Sequence, residues 1–213
     1  MTMQDYSSLV RDVIMYAPHC PEHVAQHAVK LTCIDFCRRT HWWKYTSDPM
    51  DVAAGEASYQ VEVPNGTEPI SVVAAWYNDS PLWPMGFSTK NRFQFKNLSS
   101  MSGTPQAFSH DNAAEVVLSP VPKDTDAASL VLTVAIAPKR TANSADREMM
   151  ERYFDGLVSG ALSRVYAIPN QPFTSPDASM AREKMYRVEA TKAKIDANKA
   201  LTVASLRVQP RHP

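Results

Sequence analysis

One stretch of the sequence, residues 20–43, constrains the fold more than any other. Pro21 suits the first turn of a helix, where its missing N–H costs nothing, and no Gly or Pro follows until Pro49. Apolar residues lie on most sides of the resulting helix: Val24, Ala25, Ala28, Val29, Leu31, Cys33, Ile34 and Phe36. A helix with this pattern must be enclosed by several neighbouring elements. The stretch then ends in basic and aromatic residues: Arg38, Arg39, Trp42 and Trp43.

Two other segments predict neighbouring helices. An apolar face on residues 4–16 predicts a first helix, and the short link at Pro18 makes it antiparallel to the second. Apolar pairs recur every four residues from 145 to 167, which predicts a third helix with a wide buried stripe. In that helix Gly156 and Gly160 lie one turn apart. Because Gly costs about 1 kcal/mol in a helix interior, they indicate close packing against another backbone.

The C-terminal part predicts a fourth helix followed by an arm. Ser175 suits a helix cap and Pro176 the first helical position, so the helix is predicted to run from there to about residue 200. Its apolar face is thin, which suits a surface helix or one against a partner; the face comprises Ala178, Ala181, Met185, Val188 and Ile195. Residues 201–213 contain no acid. They suit either a disordered tail or an extended arm that orders on a partner.

Between the helical segments, residues 49–140 show the period-two alternation of β-strands. Alternate apolar residues share one side of the clearest strand: Leu130, Leu132, Val134 and Ile136. Other strands are predicted over residues 59–63, 70–77, 93–95 and 116–118, with a turn at Pro64-Asn65-Gly66. This spacing predicts an antiparallel β-sandwich or barrel-like domain.

The combined prediction is an α+β fold in which a β domain is inserted into a four-helix bundle. Residues 1–48 supply one helical hairpin and residues 141–200 the other, because neither hairpin alone buries its apolar stripe. Residues 49–140 form the inserted domain, and residues 201–213 form the extended C-terminal arm.

The composition excludes several classes of protein. The chain of 213 residues has 22 Lys and Arg against 22 Asp and Glu, whereas a dedicated nucleic-acid binder usually has a basic excess. A net charge of zero gives little protection from self-association, which suits a subunit that assembles. Three cysteines do not make a disulfide framework and suggest a reducing compartment. Neither a signal peptide nor a membrane-spanning segment is predicted.

A cluster of candidate metal ligands lies near the second helix: His19, Cys20, His23 and His27, followed by Cys33 and Cys37. His23 and His27 are spaced i,i+4 and share a helix face, as zinc ligands can. Cys33 lies about 80° around the helix from His23 and more than two turns away. Buried cysteines and surface histidines are therefore favoured over a structural zinc site, which stays an alternative. No nucleophile elbow, phosphate-binding loop or paired carboxylates occur, so we expect neither an enzyme nor a bound cofactor.

The end of the second helix allows three interpretations. Arg38, Arg39, Trp42 and Trp43 are followed by Lys44 and Tyr45. Trp, Tyr and Arg are typical of protein–protein hot spots, so the first four residues are candidates for a subunit interface. The same residue types could form an aromatic lid between helix and sheet, or could stack single-stranded nucleic acid. Because the rest of the chain lacks a basic excess, the aromatic lid and the subunit interface are favoured over nucleic-acid binding.

Degenerate motifs occur in a fixed order across residues 9–199. They are Cys20-Pro21 with Phe36-Cys37-Arg38-Arg39-Thr40; Ala54-Gly55-x-x-x-Tyr59 with Val63-Pro64-Asn65-Gly66; Gly103-x-Pro105-x-x-Phe108; Leu118-x-Pro120-x-Pro122; Tyr153-x-x-Gly156-x-x-x-Gly160-Ala161-Leu162; and Pro172-Phe173 with Asp177-Ala178. In this order and spacing, the sequence resembles the head-to-tail adaptor (connector) proteins of tailed bacteriophages, including the tail tubular protein A type. The double Trp42-Trp43 departs from the family pattern, in which a single aromatic residue would do.

The resemblance implies a structural virion protein that forms a ring, expected to be dodecameric, between portal and tail. The helical bundle would line the ring and the β domain would face outward. DNA would pass through the channel without sequence-specific binding. The C-terminal helix and arm would reach the portal, with Val203, Leu206, Arg207, Val208 and Arg211 as candidate contacts.

The resemblance also implies where the protein is found and what surrounds it. Assembly would take place in the host bacterial cytoplasm, a tail or nozzle protein would bind downstream, and no membrane is involved.

The alternative function is a soluble module that binds single-stranded nucleic acid or another protein through residues 38–45.

Overall fold

The computed structural model describes residues 2–85, 101–110 and 114–199, and the chain divides into two compact units. Met1–Trp42 and Arg140–Pro213 form the helical unit, and Trp43–Lys139 form the sheet unit. The sheet unit begins earlier than the expected boundary at residue 49. The reason is that Lys44–Thr46 already pairs with the sheet.

The described part of the helical unit contains five helices. They are α1 (Ser7–Tyr16), α2 (Glu22–Thr40), α3 (Arg147–Arg152), α4 (Phe154–Tyr166) and α5 (Pro176–Lys199). α2 packs against α1, α4 and α5, and α4 packs against α1 as well as α5. α2 therefore has neighbours on several sides, as its apolar pattern indicates, and it buries residues along its whole length: Ala25, Ala28, Val29, Thr32, Cys33, Ile34, Phe36, Cys37 and Thr40.

The predicted four-helix bundle is not supported, because the third predicted helix is two helices. Tyr153 leaves helical geometry (φ −113°, ψ 29°) and separates α3 from α4. The side chain of Asp146 caps α3 by accepting a hydrogen bond from the Met149 N–H at 2.9 Å. Burial raises the pKa of this carboxyl, and the hydrogen bond from Met149 opposes that shift.

A two-stranded antiparallel ribbon, which the sequence pattern does not predict, accompanies the helices. Met3–Asp5 (β1) pairs with Ser144–Asp146, so the start of the chain is joined to the segment just before α3. The first helix begins at Ser7 and not at residue 4, because residues 3–5 are extended.

The described part of the sheet unit contains a five-stranded sheet, a four-stranded sheet and a separate pair of strands. In chain order, its described strands are β2 (Lys44–Thr46), β3 (Met50–Val52), β4 (Ser58–Gln60), β5 (Thr67–Tyr77), β6 (Ser80–Pro81), β7 (Trp83–Pro84), β8 (Ser102–Gly103), β9 (Ala107–Ser109), β10 (Glu115–Ser119), β11 (Val121–Pro122) and β12 (Asp126–Pro138), and the ribbon strand Ser144–Asp146 is β13. The larger sheet has the order β2-β12-β5-β6, with β3 also on β12, and the smaller has the order β4-β10-β9-β7.

The sequence predicts an antiparallel domain, but two pairs of described strands are parallel. β7 pairs with β9, and β8 with β11, in parallel. Three of the four strands in these pairings have only two residues. Two of those three, β7 and β11, contain proline, which cannot donate to a longer ladder. The strand predicted over residues 93–95 lies outside the described residues.

The chain passes from one sheet to the other at Leu82, and this curls the unit. Leu82 N donates to Ala75 O at 2.9 Å, and Trp83 N donates to Gln106 O at 3.0 Å, so consecutive residues bond different sheets. The four alternating residues predicted to share one side of β12 are all fully buried. No helix in the three described ranges is long and apolar enough to cross a membrane.

Candidate interaction surfaces

The end of α2 presents the two arginines that were predicted to contact another subunit. Arg38 and Arg39 are exposed. Arg39 Nε donates to the Asp35 carboxylate at 2.7 Å, one turn back, and this bond raises the pKa of Arg39. His41 then takes a left-handed conformation (φ 52°) and ends the helix, so the two tryptophans follow on a changed course.

Trp42 belongs to a row of aromatic rings inside the helical unit. Its ring meets Tyr153 edge-on, with the centroids 4.9 Å apart. Phe36 follows at 5.2 Å from Tyr153, and Tyr186 at 6.4 Å from Phe36. The Arg152 guanidinium lies 5.5 Å from the Trp42 ring centroid. Such pairs contribute about 0.5–1.5 kcal/mol each beyond their buried area, so the row helps to hold α2, the junction between α3 and α4, and α5 together.

Trp43 belongs to the sheet unit instead. It is 3% exposed, and its carbonyl accepts a hydrogen bond from Ile136 N at 2.9 Å. Of the two tryptophans, only Trp42 therefore keeps a partly exposed ring. A platform for single-stranded nucleic acid needs open ring faces. Because Trp43 is buried and Trp42 already contacts Tyr153 and Arg152, the arrangement does not favour the nucleic-acid alternative.

Two hydrogen bonds between tyrosine and aspartate attach α5 to the rest of the helical unit. The Tyr186 hydroxyl donates to Asp35 at 2.8 Å, and the Tyr153 hydroxyl donates to Asp196 at 2.9 Å. Burial, followed by the neighbouring carboxylate, raises the pKa of both phenols. Both groups therefore remain protonated donors at neutral pH.

Asp35 lies beside a small cavity where α2, α4 and α5 meet. The cavity has a volume of about 230 Å³. The Asp35 carboxylate accepts from Arg39 and Tyr186 and lies 3.9 Å from the Arg164 guanidinium. Because this carboxylate already has partners from all three helices, its role in the structure is to join them.

The two glycines of α4 lie where neighbouring helices come closest. A Cβ atom placed on Gly156 would lie 2.7 Å from the Cβ of Glu189 on α5. A Cβ atom on Gly160 would lie 2.6 Å from Thr32 Cγ2 on α2 and 2.7 Å from Tyr186 Cδ2 on α5. Real carbon atoms do not approach so closely, so both positions exclude a side chain in this packing.

α5 buries a different side from the apolar face described in the sequence analysis. Its buried residues are Tyr186, Ala190, Ala193 and Ala197. Of the residues assigned to the apolar face, Met185, Val188 and Ile195 remain about half exposed. The side that packs within the chain is thus made mainly of alanine, and the larger apolar side chains face away from it.

The histidines and cysteines do not come together as a metal site. His23 and His27 are exposed, whereas Cys20, Cys33 and Cys37 are buried and free. Burial raises the pKa of Cys33 to about 12 and that of Cys37 well above its ordinary value. The described residues contain no group of three or more His, Cys, Asp or Glu placed to hold a metal ion.

The candidate portal contacts Val203, Leu206, Arg207, Val208 and Arg211 lie outside the described residues. The match that identifies the family of the chain, however, extends into this segment. The model of the SU10 adaptor protein family matches residues 4–209, which includes both units and most of the arm. The chain belongs to the SU10 adaptor protein family. No curated protein matches it.

Membership of the SU10 adaptor family supports part of what the earlier resemblance implies. It supports a bacteriophage structural protein with an adaptor role, and it is consistent with a protein that is not an enzyme. The narrower likeness to tail tubular protein A is not established by this match.

The sequence pattern of this SU10 adaptor does not reveal which residues join its helices. Asp35 is the single acid between residues 23 and 47, and it lies between the buried residues Ile34 and Phe36. A lone carboxylate in such a helix is a usable signal, since burial requires partners. Its partners could not be identified in advance, because Tyr186 lies 151 positions away in the sequence.

Proposed function

We propose that this SU10 adaptor assembles as a ring, of twelve copies, between the portal and the tail of a bacteriophage. DNA passes through the central channel without sequence-specific binding. The family match over residues 4–209 carries the proposal, because it includes both units rather than one isolated module. A net charge of zero fits a channel wall, since strong phosphate binding would retard the DNA.

The portal contacts the C-terminal helix and arm in this proposal, and a tail or nozzle protein binds the opposite side of the ring. α5 is the longest described helix, with 24 residues, and it leads directly into the arm. The likeness to tail tubular protein A of short-tailed phages belongs to the same proposal, as does assembly in the host cytoplasm before incorporation into the virion.

Electron microscopy of the purified chain mixed with its portal protein tests this function. We expect rings with a defined number of copies stacked on the portal. A variant that lacks residues 201–213 is expected to bind the portal less well while keeping the helix content of the full chain by circular dichroism. If the full chain stays monomeric with portal, and removal of residues 201–213 changes nothing, the proposal is wrong.

A further inference from the structure

We infer that one side of α5 docks on the sheet unit of a second copy of this chain. This inference rests on the proposed function, in which copies assemble side by side. The surface, called here the outward face of α5, consists of Ala181, Lys184, Met185, Val188, Lys192 and Ile195.

The outward face is a continuous stripe on the helix. At about 100° per residue, its six members fall within an arc of about 100°. The buried residues of α5 lie on roughly the opposite side. Met185, Val188 and Ile195 are 51%, 50% and 48% exposed. Large apolar side chains exposed together on one helix face are typical of a protein–protein contact, whereas single exposed ones need no explanation.

The outward face is also basic. Its charged members are Lys184 and Lys192, and no acid is among its six residues. Of the acids in this helix, Glu183 binds Arg187 and Asp196 accepts from Tyr153, whereas Glu189 pairs with Lys192 of the outward face. Asp177 lies in the first turn, before the stretch that forms the face. A partner for this face should therefore combine an apolar surface with negative charge.

The sheet unit of a second copy has both properties. The neutral chain is divided unevenly: the helical unit has 16 Lys and Arg against 12 Asp and Glu, and the sheet unit has 6 against 10. The two units thus carry net charges of +4 and −4. The sheet unit also exposes large apolar side chains, including Trp83 at 76% and Met101 at 59%.

The charges also favour contact between unlike units over contact between like units. Two α5 helices packed on each other would place Lys184 and Lys192 of both copies in one interface, where like charges repel. A contact from the helical unit of one copy to the sheet unit of the next joins opposite charges. Contacts of this head-to-tail kind close into rings when the rotation between copies allows it.

A set of matched variants tests the docking surface. Val188→Asp and Lys184→Glu alter the outward face, and Lys194→Glu makes the same charge change at an exposed position elsewhere on α5. Association is measured with portal present, by mass photometry over a concentration series, after circular dichroism shows unchanged helix content. We expect each variant of the face to weaken association at least about tenfold, and Lys194→Glu to leave it within about twofold.

A photo-crosslinking residue in place of Val188 identifies what covers the face. Isotopically light and heavy copies are mixed, so that crosslinks between copies are distinguished from those within one chain. We expect crosslinks between copies to peptides from residues 43–139. Crosslinks to helical-unit peptides of another copy, to the portal, or to residues 201–213 of the same chain would overturn the inference.

The outcomes separate this inference from the proposed function. If rings form and the variants of the outward face assemble like the wild type, only the docking surface is wrong. If Lys194→Glu weakens association as strongly as Lys184→Glu, the effect comes from net charge and the surface is again wrong. If the wild-type chain forms no assembly even with portal, the ring itself fails and the docking surface fails with it.

Discussion

The closest helix contacts in this protein lie at Gly160, and the substitution Gly160→Ala tests them. The added methyl carbon would lie 2.6 Å from Thr32 Cγ2 and 2.7 Å from Tyr186 Cδ2. Favourable carbon–carbon contacts begin near about 3.5 Å. Thr32 and Tyr186 are buried and belong to different helices, α2 and α5. Movement of α4 away from one of them does not necessarily relieve the other contact.

The expected loss of stability is the difference between two opposing effects. Alanine is favoured over glycine in a helix by about 1 kcal/mol. Overpacking of a well-filled core costs about 1–3 kcal/mol. The upper part of that range applies, because the Thr32 hydroxyl is bonded to Ala28 O at 2.8 Å and the Tyr186 hydroxyl to Asp35 at 2.8 Å. We therefore expect the free energy of unfolding to fall by about 1–2 kcal/mol.

The assay is urea denaturation followed by circular dichroism at a helix band, since the described helices all lie in the helical unit. Thr32→Ser removes Cγ2 but keeps the hydroxyl that bonds Ala28, so it removes one of the two close contacts. Thr32→Ser should therefore recover part of the loss in a Gly160→Ala background, and the double-mutant cycle should give a coupling of about 0.5 kcal/mol or more. Gly156→Ala, which meets Glu189 alone, serves as a milder comparison.

Two results would refute this reasoning. If Gly160→Ala raised the free energy of unfolding by about 1 kcal/mol, helix propensity alone would explain it, and the helices would not be in close contact there. If Thr32→Ser recovered none of the loss, the overlap would not involve α2.

Three further predictions concern single polar groups. Asp146→Ala removes the cap of α3 and should lower the free energy of unfolding, measured in urea, by about 1 kcal/mol. Asp146→Asn keeps a capping oxygen and should retain most of the wild-type stability. Equal losses in the two variants would exclude capping as the cause. Tyr186→Phe removes one donor to Asp35 and should cost about 1 kcal/mol or more, and Tyr166→Phe, which loses an exposed bond, should cost less. Burial and a hydrogen bond to a carboxylate raise the pKa of Tyr77 to about 12, above its ordinary value near 10. The folded state keeps this proton to a higher pH than the unfolded state does. The contribution of the protonated Tyr77 hydroxyl to stability is therefore fully present below pH 10 and is lost between about pH 10 and 12. Tyr77→Phe should weaken that alkaline loss, as measured by urea unfolding at fixed pH values, and an unchanged pH dependence would count against the assignment.

Local patterns in the sequence predicted the elements that depend on local spacing. The alternation from Leu130 to Ile136 identified the central strand β12, and its four apolar residues are buried. The turn at residues 64–66 is formed as well, with Thr67 N donating to Pro64 O at 3.1 Å. These features follow from period and turn chemistry, which neighbouring residues determine.

Features that depend on distant partners could not be predicted in the same way. Residues 145–167 have a continuous helical pattern, yet the helix breaks at Tyr153, whose hydroxyl bonds Asp196. The strand Met3–Asp5 is too short to show a period, and it forms only because Ser144–Asp146 lies beside it. In both cases the partner is far along the chain, so a window of neighbouring residues holds no sign of the contact.

α5 is the clearest case in which hydrophobicity alone does not identify the buried side of a helix. Hydrophobicity selects Met185, Val188 and Ile195 as its apolar face. The structure instead turns Tyr186 and three alanines toward the interior, and Gly160 leaves room for the Tyr186 ring, whose Cδ2 would lie 2.7 Å from a Cβ atom at that position. The larger apolar residues are left on the outside, where they remain available to a second molecule.

The strength of that second contact can be estimated from the side chains themselves. Complete burial of a Val, Ile or Met side chain contributes about 1.5–3 kcal/mol, and Met185, Val188 and Ile195 are each about half exposed. Together they would contribute roughly 3 kcal/mol. A millimolar complex already requires about 4 kcal/mol of favourable binding free energy, so this contribution is smaller. Charge complementarity adds to this, but one such contact between two free subunits would still be weak. A closed ring or a portal template supplies the missing stability by multiplying contacts. We therefore expect the outward face of α5 to act during assembly on the portal and to leave the free subunit largely monomeric in dilute solution.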